Sequence, residues 1–129
     1  MTDTRLPRPT DSELAILRVL WDRGECTVRE VHDVLSGSSP IGYTTVLKLM
    51  QIMTEKGLVE RDETRRAHVY RSRATEQKTQ RQLLHDLVDR AFAGSASKLV
   101  MQALASNRTS ADDLKEIRGV LARLEKEER

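Results

Sequence analysis

Polar side chains that can hydrogen-bond to the edges of DNA bases recur along a helix predicted at residues 42–56. They are Thr44, Thr45, Lys48 and Gln51. A Thr hydroxyl can bond to a base edge or a phosphate, Lys suits guanine and Gln suits adenine. A helix with such a face can enter a major groove, provided that its other face is anchored in a core.

Two arginines, Arg65 and Arg66, lie in a polar tip between two short predicted strands. Residues 42–75 carry seven Lys or Arg against four Asp or Glu, a local charge of +3, whereas residues 1–41 carry five against seven, a charge of −2. The whole chain carries only +2. A basic surface confined to one segment is typical of a site that binds phosphates.

Three short helices followed by a hairpin are predicted to position these side chains. After an extended arm at residues 1–9, capping-box patterns start two helices at Thr10 and Thr27. The third helix ends at Gly57, and the strands are predicted at residues 58–62 and 67–72. The apolar stripe by which the third helix is expected to pack into the core consists of Val46, Leu49, Met50 and Met53.

From residue 75 the chain is predicted to be helical almost throughout. Apolar side chains at helical spacing form stripes that these thin helices cannot all bury alone, so we expect them to pair two copies of the chain. The expected dimerisation residues are Leu84, Leu87, Val88, Leu114, Ile117, Leu121 and Leu124. The predicted fold is mainly α with a small β-hairpin: a winged helix-turn-helix domain at residues 1–73 and a helical dimerisation region at residues 74–129.

Composition and motifs exclude several other classes of protein. The 129 residues are 33% charged and 3% aromatic, and they contain no catalytic order of Ser, His and Asp and no phosphate-binding glycine loop. We therefore expect no enzyme activity, cofactor or metal site. Without an apolar run of about 18 residues we expect no membrane partner and a cytoplasmic location. The single Cys26 is either a passive small residue, which we favour, or a redox sensor.

From the residues alone, two functions remain open. One is binding to double-stranded DNA through the polar helix face and the basic hairpin tip. The other is a winged-helix module that contacts a protein partner through the third helix, without specific affinity for DNA. Regulation by a bound ligand or metal has thin support from the sequence.

Several blocks in this order resemble the BlaI/MecI/CopY family of repressors, of penicillinase-repressor type. The similarity covers roughly residues 10–73, and the helices that follow suit the family's dimerisation region. The blocks are Leu14-Ala15-Ile16-Leu17, Leu20-Trp21-Asp22-Arg23-Gly24, Thr27-Val28-Arg29-Glu30-Val31, Gly42-Tyr43-Thr44-Thr45-Val46, Lys56-Gly57-Leu58-Val59 and His68-Val69-Tyr70.

The resemblance implies a homodimer that sits on a palindromic operator and blocks transcription until an inducing signal removes it. Carried over by position, it places Tyr43, together with Thr44, Thr45 and Lys48, in or near the major groove. It places Arg65 and Arg66 on the wing. One departure is Ile52, where many relatives carry an Arg, so the resemblance implies no phosphate contact there.

The inducing signal stays open. Antibiotic-responsive members of the resembled family are inactivated by a protease within the C-terminal helices, in the best-known relatives at an Asn-Phe bond. The corresponding stretch here, residues 99–104, contains no Asn, and the nearby Asn107 precedes Arg108. Copper-responsive members carry a Cys-rich tail, whereas residues 125–129 contain neither Cys nor His, so we do not expect thiolate metal sensing.

Overall fold

The computed structural model describes residues 7–106 and 108–128; most of the predicted arm, and Asn107, lie outside this part of the chain. It confirms a mainly α fold with a small β-hairpin. The elements in chain order are α1 (Asp11–Arg23), α2 (Val28–Ser36), α3 (Tyr43–Lys56), β1 (Val59–Asp62), β2 (Val69–Ser72), α4 (Glu76–Ala91), α5 (Ala96–Ala105) and α6 (Ala111–Glu127).

Both predicted capping boxes are present. The Thr10 hydroxyl accepts a hydrogen bond from the Glu13 N–H at 3.2 Å, and the Glu13 carboxylate accepts one from the Thr10 N–H at 2.8 Å. Thr27 and Glu30 repeat the arrangement at 3.2 and 2.9 Å. Because each box satisfies two backbone donors that the helix itself leaves unpaired, it fixes where α1 and α2 begin.

One hydrophobic core joins the first three helices and the hairpin. Residues from each helix that are less than 4% exposed meet in it: Ile16, Leu17, Leu20, Val31, Val46, Met50 and Met53. Leu49, expected in the core stripe of α3, is only partly buried. Gly57 ends α3 in the left-handed conformation, with φ of 84°. The core therefore holds α3 along one face and leaves the other in solvent.

The hairpin pairs β1 with β2 in antiparallel register, from Val59 opposite Ser72 to Asp62 opposite Val69. The strands are one and two residues shorter than predicted, because Leu58 and residues 67–68 do not pair. Leu58 is instead buried against the core, and its N–H donates to the last turn of α3.

An isolated β-bridge that the sequence did not predict lies on the free edge of β2. The Cys26 N–H donates to the Tyr70 carbonyl at 3.0 Å, and the Tyr70 N–H donates to the Cys26 carbonyl at 2.8 Å. Trp21 Nε1 donates to Ser72 Oγ and to the Ala74 carbonyl, both at 3.0 Å. These bonds fasten the hairpin to α1 and to the turn that follows it.

A partly buried ion pair links the start of α1 to the end of α3. Glu13 is 1% exposed, and Lys56 Nζ donates to its two carboxylate oxygens at 2.9 and 3.0 Å. Burial, the largest single influence, raises the pKa of Glu13, but hydrogen bonds from Thr10 and Lys56 together outweigh it and hold that pKa below its usual value near 4.5. Glu13, the second member of the capping box of α1, thus also anchors the end of α3 through Lys56.

The chain forms two compact units, residues 1–84 and 85–129, with the boundary inside α4. In the first unit, Thr79 of α4 is buried. In the second unit, none of the described residues, 85–106 and 108–128, is buried. The functional boundary expected at residues 73 and 74 stays a prediction.

Glu13→Gln removes the negative charge from the Glu13–Lys56 ion pair while leaving an amide oxygen that can still cap α1. We expect it to lower the free energy of unfolding at pH 7 by about 2 kcal/mol, less than for a fully buried pair because Lys56 retains 37% of its side-chain exposure. Since the folded pKa lies below the unfolded one, the stabilisation is present above about pH 4.5 and is lost as pH falls through the folded value.

Denaturant unfolding at pH 7 and at pH 3 measures this difference. The gap between wild type and Glu13→Gln should narrow at the lower pH. Glu55→Gln, an exposed change on α3, serves as the control and should alter stability by less than about 0.5 kcal/mol at either pH. A constant gap between wild type and Glu13→Gln would show that the charge of Glu13 is not what stabilises the fold.

Candidate nucleic-acid interface

The four polar residues predicted for α3 lie together on its solvent side. Thr44, Thr45, Lys48 and Gln51 are all exposed, whereas Val46 and the two core methionines of the same helix are fully buried. The division follows the 3.6-residue period that the sequence showed. Ile52 is half-buried beside this face, so the position departing from the resembled family adds no charge to it.

Tyr43 begins α3 and is held in place from the neighbouring helix α2. The residue is 43% exposed, with the Arg29 guanidinium carbon 5.8 Å from the ring centroid and the centroid of the His32 ring at 5.9 Å in an edge-type contact. His32 Nε2 is 2.8 Å from the Ile41 carbonyl and 3.1 Å from Ser36 Oγ. The turn between α2 and α3 is therefore fixed by a chain of contacts that ends at Tyr43.

Ion pairs engage most arginines of the hairpin. Arg71 donates to Glu60 at 2.7 Å, Arg73 lies 3.5 Å from the same carboxylate, and Arg61 pairs with Glu63. These pairs are exposed and weakly stabilising, but they neutralise charge that the composition alone counts as basic.

The two wing arginines differ in their surroundings. Arg65 lies 3.9 Å from the Glu25 carboxylate. Among the residues that the structure describes, Arg66 has no carboxylate within ion-pair distance. Its full charge is available to a ligand, whereas that of Arg65 is partly compensated.

A hollow of about 250 Å³ separates the start of α3 from the wing. Its walls include apolar groups from α2 and α3 and polar groups from the hairpin, among them Val28, Tyr43, Leu47, Arg66 and His68. Arg66 of the hairpin therefore lines the same hollow as Tyr43 and Leu47 of α3, which the sequence could not show.

Cys26 has the environment of a structural residue. It is 1% exposed, and burial, followed by the Glu30 carboxylate, raises the pKa of its thiol. A thiol held protonated inside a core is a poor nucleophile, which favours the passive role over redox sensing. Within residues 7–106 and 108–128, no three metal-binding side chains cluster, and no helix is long and apolar enough to cross a membrane.

Comparison with known proteins identifies the family. Residues 9–123 match the family described as penicillinase repressor. The chain belongs to this family. A relative from Mycobacterium tuberculosis named transcriptional regulator BlaI is 34% identical over 122 residues, which are 94% of this chain and 88% of that protein. The penicillinase repressor of Bacillus licheniformis is 22% identical over 117 residues, 91% of each chain.

Solved structures of the penicillinase repressor family confirm the winged-helix fold. The solution structure of the DNA-binding domain of the repressor BlaI covers 57% of this chain and 90% of that domain, with a TM-score of 0.51 and 24% identity. The monomeric Bacillus licheniformis BlaI, solved with the blaP half-operator, gives the same values. Penicillinase repressors are transcriptional regulators, which also confirms the expectation that the chain is not an enzyme.

Proposed function

We propose that this chain is a sequence-specific DNA-binding transcriptional repressor that acts as a homodimer on a palindromic operator. The observation that carries the proposal is the division of α3 into a buried apolar face and an exposed face bearing Thr44, Thr45, Lys48 and Gln51. A helix anchored in this way can enter a major groove about 12 Å wide while its apolar face stays in the core.

The residues of α3 take distinct roles in this proposal. Lys48 donates to guanine edges, and Gln51, close to one turn further along, pairs with adenine. Thr44 and Thr45, in the first turn, bond to base edges or phosphates, and Tyr43 lies at the rim of the groove. Specific binding rests on the helix, because the wing arginines contact the backbone and carry no base information.

The second unit supports pairing between two copies. Its apolar side chains need a cover, because no described residue of this unit is buried. Leu87, Leu121 and Leu124 are 48%, 48% and 53% exposed, and Leu84, the last residue of the first unit, is 47% exposed. Leu114 is exposed, while Val88 and Ile117 are half-buried. We assign DNA binding to residues 1–73 and pairing to residues 74–129; a two-fold dimer binds a palindrome.

Release from the operator requires a signal that breaks this arrangement. A protease linked to the inducer is the route that the family resemblance implies. Residues 99–104, which correspond to the segment cut in the antibiotic-responsive relatives, lie within α5 (Ala96–Ala105). A protease needs extended backbone, so α5 must unwind locally before the chain can be cut.

The first experiment is a salt series of binding to two duplexes: the DNA upstream of the gene for this chain, and a scrambled version of it. We expect a dissociation constant near 10⁻⁸ M on the upstream duplex, at least ~10³ weaker binding to the scrambled one, and a steep loss of affinity with salt. Lys48→Ala should cost about 1–3 kcal/mol on the upstream duplex and much less on the scrambled one.

Equal and weak affinity for both duplexes would mean that the upstream duplex does not contain the operator. Selection of bound fragments from the whole genome would then locate it. If that selection also recovers no preferred sequence, the proposal fails. The alternative, a winged-helix module that contacts a protein through α3, would then stand.

The wing makes a separate prediction. Arg66→Ala should weaken binding to both duplexes alike and lower the salt slope by about 0.9 for each phosphate that it no longer neutralises. Arg65→Ala should have a smaller effect, because Glu25 already compensates its charge. Equal effects of the two substitutions would show that the ion pair between Arg65 and Glu25 does not persist on DNA.

Pairing is tested by sedimentation of the full chain. Leu121→Asp places a charge in the apolar face of α6 and should convert the dimer to monomer at micromolar concentration. Ala122→Asp, an exposed neighbour outside the apolar stripe of the same helix, should leave the dimer intact. A wild-type chain that sediments as a monomer at these concentrations would contradict pairing.

A further inference from the structure

Arg29 stands beside the candidate interface although the sequence pattern does not place it there. It lies in the first turn of α2, is exposed, and has its guanidinium carbon 5.8 Å from the centroid of the Tyr43 ring. Within the part of the chain that the structure describes, no carboxylate lies at ion-pair distance from Arg29. Its charge is therefore held in place but not neutralised.

The Tyr43 ring fixes the position of this charge. A cation at an exposed aromatic face is stabilised by about 0.5–1 kcal/mol. His32 braces the same ring from its edge, and the Ile41 carbonyl and Ser36 in turn hold His32. Arg29 thus contacts a tyrosine that has a second ring contact on α2, and this pre-positioning reduces the entropic cost when the guanidinium binds a ligand.

The chemistry of the pair suits a phosphodiester. A guanidinium carries its N–H donors in a planar fork that matches two phosphate oxygens, and a contact with an aromatic ring leaves donors free for such a ligand. Tyr43 begins α3 immediately before Thr44 and Thr45, so Arg29 and Tyr43 flank the N-terminal end of the proposed recognition helix. The sugar-phosphate strands border the groove that such a helix enters, which puts a phosphate within reach of this end.

We propose that Arg29 binds a DNA backbone phosphate, with the Tyr43 ring as its platform. The inference rests on the proposed DNA-binding function and adds to it a residue from α2. Arg29 and Arg66 then bind the DNA backbone from different elements, α2 and the wing, near the start of α3. Together they position α3 in the groove without reading bases.

The test compares three variants of the full chain on the upstream and scrambled duplexes over a salt series. Arg29→Gln should weaken binding to both duplexes roughly tenfold and lower the salt slope by about 0.9 per phosphate contact, so by about 1.8 for a dimer. Arg29→Lys keeps the charge but not the planar fork of donors, so it should restore the slope and only part of the affinity. Arg18→Gln is the matched control.

Arg18 is exposed on α1, whose inward face packs into the core, and its removal should leave the slope unchanged. Thermal melts of all variants separate misfolding from a direct effect on DNA binding, and Arg29→Lys reports on the phosphate if Arg29→Gln is unstable. A wild-type chain that binds DNA while Arg29→Gln matches Arg18→Gln would overturn this inference alone. A wild-type chain that binds no duplex, even after genome-wide selection, would overturn the proposed function and this inference with it.

Discussion

The burial of one face of α3 is the constraint on which the rest of the first unit depends. Val46, Met50 and Met53 are completely inaccessible to solvent, and each such side chain contributes about 1.5–3 kcal/mol of hydrophobic free energy. Because a helix has a fixed period, burying these three side chains also decides which residues face outward. The polar surface of α3 is thus a consequence of its packing, and the partly buried Glu13–Lys56 pair holds the end of the same helix.

Local signals in the sequence were sufficient to predict most elements of the fold. Thr10 with Glu13, and Thr27 with Glu30, mark helix starts through bonds that span three residues, so the pattern and the structure report the same interaction. Contacts between distant residues were not predictable. Glu13 reads as a capping residue, and its second partner lies 43 positions away. The β-bridge between Cys26 and Tyr70 involves only one residue before α2, so no alternation of apolar and polar residues in the sequence could have predicted it.

The same distinction between local and distant contacts applies to the candidate interface. Exposure of Lys48 and Gln51 follows from helical period alone, so the sequence predicted it. Arg65 and Arg66 look equivalent in sequence, and only the position of Glu25, ahead of α2, separates them. Arg29 was missed because its proximity to Tyr43 depends on the turn between α2 and α3. Whether these side chains contact DNA stays a prediction until binding is measured.

None of the described residues of the second unit is buried, and this affects how the activity of the chain depends on its concentration. Helices that gain their core only by association obey mass action, so their folding depends on how much chain is present. In the dimer proposed above, the abundance of the assembled pair would rise with the square of the monomer concentration when the pair is scarce. Promoter occupancy would therefore respond more steeply than linearly to synthesis or degradation of the chain, and a modest fall in its level would empty the site.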